Sequence, residues 1–305
     1  MEEVDRNVNN STRTRVRDIL YILMMVLPFV AVMTLKVLTT PHSDEISISG
    51  ALIYFTIPMP LMDLPITASQ FNSWAVVIAI LGLCLYLTHG IQVVPNSKRQ
   101  LVAEWIVTKV NDLIADNMGE RFMAFAPFVA GIMALSAFSS LSSLLGLFPP
   151  TSDMNIVAGW AIIVFILITH YKLKGGLWPY VKGFFEPVPV FAPFNIIGEL
   201  ATPVSMSFRH YGNVLSGVVI STLIAYALQG LSRMVLGWLP GVLGQFPFLQ
   251  IGLPAILSLY FDIFSGLMQA FIFAMLTMLY IATGFDEDAY NERLAKRKKK
   301  LTANG

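Results

Sequence analysis

The stretch FAPFNIIGELATPVSMSFRHYGNVLSGVVISTLIAYAL, from Phe191 to Leu228, decides how this chain is read. It is apolar along most of its length, yet Arg209 stands near its middle, too far from either end to snorkel easily to water. A bilayer core about 30 Å thick takes about 20 apolar residues in helix. The 38 residues here reach beyond about 50 Å at about 1.5 Å each, so the helix must be steeply tilted or broken.

The rest of the chain is written for the same solvent. Of 305 residues, 55% are apolar and 13% charged, well below the roughly one-quarter charged share of a soluble domain. This balance excludes an ordinary cytosolic enzyme and a disordered scaffold. A net charge of +1 gives no electrostatic footprint for nucleic acid. The single cysteine, Cys84, cannot pair within the chain and reads as a small core residue.

Irregular backbone cannot face lipid, so the long apolar runs read as spanning helices. Six are expected: Ile19 to Leu38, Trp74 to Val94, Phe122 to Leu147, Ile156 to Tyr171, Phe191 to Leu228 and Ile251 to Thr283. The first run is too long for a signal-peptide core and no small-residue cleavage pattern follows it, so it is read as retained. Between the second and third runs, Leu101, Val102, Trp105, Ile106, Val110, Leu113 and Ile114 recur at helical spacing opposite polar residues. The expected fold class is all-α and integral to the membrane: six membrane helices, two of them long and tilted, plus an amphipathic surface helix. The organisation expected is an N-terminal tail and transmembrane helix at 1–40, an extracytoplasmic loop at 41–73, a membrane domain at 74–285 and a basic cytoplasmic tail at 286–305.

Orientation follows from the basic residues. Seventeen of the 20 Lys and Arg fall on alternate connecting segments and one, Arg233, on the others. Both termini are therefore expected in the cytoplasm. The KRKKK run, Lys296 to Lys300, reads as a topology anchor near anionic headgroups.

Ionisable residues inside a membrane are costly and mark function by default. Glu199, Thr202, Ser205, Arg209, Asn213 and Ser216 follow one another at steps of three or four, on one face of the fifth helix. Asp262, Ser265, Gly266 and Gln269 are expected to share a face of the sixth, and the pair of faces offers a hydrated path for a small cation. Arg209 is either neutralised by this chain's own Glu199 or Asp262, or is a permanent charge awaiting a carboxylate on another subunit. His210 reads as a packing residue, and Tyr280 as a packed aromatic whose hydroxyl finds a partner. No P-loop, metal-spaced histidine pair or nucleophile elbow occurs, so no catalytic, cofactor or metal site is expected.

The segments PVSMSFRHYGNVLSG (Pro203 to Gly217) and GLMQAFIFAMLTMLY (Gly266 to Tyr280) together resemble subunit a of the F-type ATP synthase membrane sector, in a bacterial version. The similarity runs from about Pro65 to Phe285 and includes the turn made by Pro150, Thr151, Asp153 and Asn155. The resemblance implies an ion-translocating stator in a bacterial plasma membrane. Arg209 would face the carboxylate of a rotating c-ring, Asn213 and Gln269 would line the path, and two half-channels would carry H+ or Na+. It implies as partners the c-ring, the peripheral-stalk subunit b and the remaining ATP synthase subunits, besides membrane lipid, and no nucleotide site on this chain. Val218 stands where the best-known proton-driven members carry glutamate, and Asp262 where they carry histidine, so the outer carboxylate is expected on the sixth helix. The family's other glutamate aligns with Asn195, one turn from Glu199. The first helix is absent from shorter members, and nothing in the sequence gives it a role. From the residues alone, a secondary cation transporter or channel gated by an Arg/Asp pair stays open, although no repeated halves appear.

Overall fold

The computed structural model describes residues 2–39, 50–60, 63–95, 97–238, 252–288, 290–293 and 295. Among them, six helices are long and apolar enough to cross a membrane, in the order expected. The KRKKK run and Ile251 lie outside the described residues.

Helix α1 (Glu2–Thr39) carries the first span. It packs along α2 (Ala68–Thr88) at Gly82, where an added Cβ would fall 3.2 Å from both Tyr21 O and Met25 N. Only a residue without a side chain lets the two backbones come this close. Near the start of its apolar span, α1 is held by Asp18, whose carboxylate accepts from Arg99 Nη1 at 2.6 Å.

Part of the stretch expected as a loop is a hairpin, β1 (Ile53–Ile57) antiparallel to β2 (Leu64–Thr67). The IYFTI run is β-branched and aromatic, which suits strand, and Tyr54 and Phe55 set their rings edge-on against Phe71. Strand β2 runs straight into α2, so the second span begins at Ala68 and not at Trp74. It also stops at Thr88 rather than Val94, because Gly90 takes a positive φ of 77° that turns the chain out of the helix. Cys84 is exposed on α2, not in the core. Lipid and protein interior are both apolar, so hydropathy does not tell an inward face from an outward one.

Helix α3 (Lys98–Met118) is the surface helix. Ile114 and Met118 are buried at its C-terminal end, while Leu101, Val102 and Trp105 remain exposed as a membrane-facing helix requires. A 3₁₀ turn (Glu120–Phe125) leads into α4 (Ala126–Leu141). Helix α5 (Met154–Lys174) follows, with Asp153 capping it by accepting from Asn155 N at 3.0 Å. Then come the short α6 (Leu177–Phe184) and α7 (Ala192–Leu236), whose 45 residues reach about 68 Å. The sixth span joins α8 (Leu253–Ser258), a π-helical stretch (Leu259–Ser265) and α9 (Gly266–Gly284). The core gathers α4, α5 and α9 around Val129, Val164, Phe273, Met278 and Ile281.

Candidate functional site

Helix α7 carries the spine of the site. On one side of it His210 is fully buried, with Nε2 3.2 Å from Ser136 Oγ of α4 and its ring edge-on to Trp160 and Phe273. It is the packing residue the sequence led us to expect. Anchoring that side turns the adjacent Arg209 outward, about 100° around the helix. Arg209 and Ser205 are exposed, beside Val204 and Phe208 at 52% and 59% exposure. A guanidinium thus stands on an uncovered apolar flank, with no ion pair among the described residues.

The two carboxylates that could have neutralised it are engaged elsewhere. Glu199 Oε1 accepts from Lys172 Nζ and from Tyr180 OH, both at 3.0 Å. Tyr180 lies on α6, outside the spans, where burial pushes its phenol up to about 12, assisted by the hydrogen bond to Glu199 and that residue's charge. These groups and Thr202 line a cavity of about 530 Å³ between α5, α6 and α7. An adjoining space of about 160 Å³ brings Tyr280 of α9 to Lys172, Glu199 and Thr202. The Tyr280 ring packs on the core as expected, but its hydroxyl has no hydrogen-bond partner among the described residues.

Asp262 belongs to a second cavity, of about 490 Å³, beyond Arg209 in the other direction along α7. Its carboxylate accepts from Ser258 Oγ, and Gly217, Val218 and Ser221 of α7 form the facing wall, with Lys36 of α1 on a third side. Thr202 precedes Arg209 by seven residues and Gly217 follows it by eight. The cavities therefore reach α7 about 11 Å and about 12 Å from Arg209, leaving about 22 Å of helix that lines neither. Ser205, Arg209, Asn213 and Ser216 occupy that interval.

Within it, Asn213 and Ser265 are bonded twice, Nδ2 to Oγ at 2.8 Å and Oγ to Oδ1 at 3.1 Å. The expected stripe of Asp262 with Gln269 does not form. In the π-helical stretch each backbone bond spans five residues instead of four, so positions seven apart no longer complete two turns. Asp262 faces the cavity, whereas Gln269 is buried, at 4% exposure, one turn beyond Ser265. Gln269, expected on the hydrated face with Asp262, is thus buried, and Ser265 is the residue that meets Asn213. Sequence reasoning also missed Lys172, Tyr180, Ser258 and Lys36. Lys172 lies 27 residues from Glu199, so no local spacing announces the pair.

Residues 70–282 match the profile of the ATP synthase A chain family. The chain belongs to that family. It is 27% identical over 277 residues to the sodium ion specific ATP synthase subunit a of Propionigenium modestum, covering 80% of this chain and 88% of the relative. The subunit a of Acidothermus cellulolyticus is 32% identical, covering 67% of this chain and 72% of its own. That of Bacillus pumilus is 32% identical, covering 67% and 86%. As an F-type ATP synthase subunit a, the chain is a multi-pass, non-catalytic subunit of the membrane sector, part of the machinery of ATP synthesis and ion transport. Its helix α1 precedes the segment matched by the family profile.

Proposed function

We propose that this subunit is the stator of rotary ion translocation, with Arg209 facing a carboxylate of the c-ring and the two cavities serving as half-channels. The observation that carries this assignment is a guanidinium, exposed and without an ion pair among the described residues, held between two cavities that approach it from opposite directions and each hold a carboxylate, Glu199 in one and Asp262 in the other. A fixed positive charge favours the ionised form of a passing carboxylate and so releases its ion. The same charge repels a cation crossing directly from one half-channel to the other.

The cavity at Glu199 lies beside the basic Lys172 to Lys182 segment and opens to the cytoplasm in this scheme, with both termini on that side of a bacterial plasma membrane. The cavity at Asp262 is then the outer one. Val218 and Asp262 line the same space, which supports a carboxylate relocated from α7 to the sixth span. Glu199 and Thr202 carry ions on the inner side, and Asn213, Ser205 and Gln269 shape the interval around Arg209. The exposed flank of α7 meets the c-ring, and peripheral-stalk subunit b binds elsewhere on the subunit. The translocated ion is H+ or Na+, and the sodium specificity of the Propionigenium relative makes both worth driving separately.

The test is Arg209→Ala in membranes carrying the whole complex. Ion-driven ATP synthesis is expected to vanish while the subunit remains assembled. Normal coupled synthesis in this variant would refute the assignment.

A further inference from the structure

Helix α1 has no place in the function described so far, and the bland account is a membrane anchor. Most of its surface fits that account, since Ile19, Leu23, Val30 and Val37 are each more than half exposed, as lipid-facing residues are. One line of the helix does not. Val32 is 7% exposed, packed with Ala75 and Leu147, and Lys36 follows four residues later on the same side. A lysine this close to a helix end ordinarily snorkels outward to the headgroups. Lys36 instead turns inward and donates to Gly146 O, in the turn after α4. Both Val32 and Lys36 border the outer cavity, where the other titratable groups among the described residues are Asp262 and Tyr54. The apolar span of the helix is also fixed near its start by the Asp18–Arg99 pair.

We propose that α1 is a wall of the outer access cavity and that Lys36 is a positioning residue for ion entry, its ammonium tying that wall to the Gly146 turn and facing the same space as Asp262. This rests on the assignment of that cavity as a half-channel. Removing the tie loosens the wall, and removing the charge changes the electrostatic environment an entering cation meets. An anchor would tolerate both.

The experiment uses the full complex in a Cys84→Ser parent, because Cys84 is exposed. Lys36→Cys is expected to slow ion-driven ATP synthesis several-fold. Treatment with aminoethyl methanethiosulfonate, which rebuilds an ammonium at that position, should restore most of the rate, and the sulfonatoethyl reagent, which installs an anion, should not. Val32→Cys, a smaller change on the same wall, should be blocked by either reagent added from the outer side. Met33→Cys, 51% exposed on the lipid side, should respond to neither. A Lys36→Cys complex with the parent's rate, or with the same response to both reagents, overturns the proposal. So does a Val32→Cys complex that neither reagent inhibits, which keeps the test decisive should Lys36→Cys fail to assemble. Arg209→Ala in the same membranes separates the two failures: if it abolishes synthesis while position 36 is silent, only the role of α1 is lost.

Discussion

Gly266→Ala is the smallest change expected to reach the Arg209 region without touching it. A Cβ at position 266 would lie 2.6 Å from Ser140 Cβ and 3.1 Å from Ser140 Oγ. Carbon atoms not bonded to each other rest at about 3.5–4.0 Å, so α4 and α9 must part by about 1 Å. Overpacking of this kind costs about 1–3 kcal/mol, or about 5- to 150-fold in the packing equilibrium. The displaced backbone carries the neighbouring Ser265, whose bonds to Asn213 at 2.8 and 3.1 Å would stretch beyond useful length. Thermal denaturation of the purified complex and ion-driven ATP synthesis are the two assays, and Gly266→Ala should lower both the Tm for loss of this subunit and the rate. Adding Ser140→Gly removes the opposing Cβ and should recover most of each, less about 1 kcal/mol for glycine within a helix. A Gly266→Ala complex indistinguishable from wild type, or a double variant no better than the single, would show that the α4–α9 contact does not set the position of Ser265.

Three other outcomes are expected. Asp262→Asn should slow ion flux in both directions without opening a leak, because the barrier at Arg209 survives; wild-type flux across the pH range would make the carboxylate structural. Glu199→Gln leaves Lys172 without its counter-charge and should slow synthesis, whereas unchanged flux would move the inner path away from that cavity. Tyr180→Phe should give a loss that is flat from pH 6 to 9, since a phenol raised to about 12 keeps its bond to Glu199 below its unfolded value of about 10 and surrenders it only as pH rises through the folded one; a pH-dependent loss within pH 6 to 9 would contradict this.

Much of this architecture is legible without coordinates, because a lipid solvent leaves one strong signal. A run of about 20 apolar residues has few alternatives to a spanning helix, and all six appear. What hydropathy reports is the surrounding medium, and this explains the misses. Val93 and Val94 look like helix yet lie beyond Gly90. Cys84 looks buried yet faces outward. The Arg209 flank was legible because charge is conspicuous among apolar residues. Lys172 was counted only as a topology charge and Lys36 was left out of that count as the end of the first helix, since their partners, Glu199 and Gly146, are distant in the chain.

The π-helical stretch is an insertion that a helix has absorbed, one residue more than the α-helical turn needs. Removing a single position between 259 and 265 would let the segment relax to α-helix and rotate everything upstream by about 100°. Ser258 would swing away from the outer cavity with it, and the register between α8 and α7 would slip. Apart from Asp262 and Ser265, this part of the subunit should therefore accept many exchanges of side chain while tolerating almost no change in length, so that among relatives gaps in alignment should avoid these seven positions even where their residues differ.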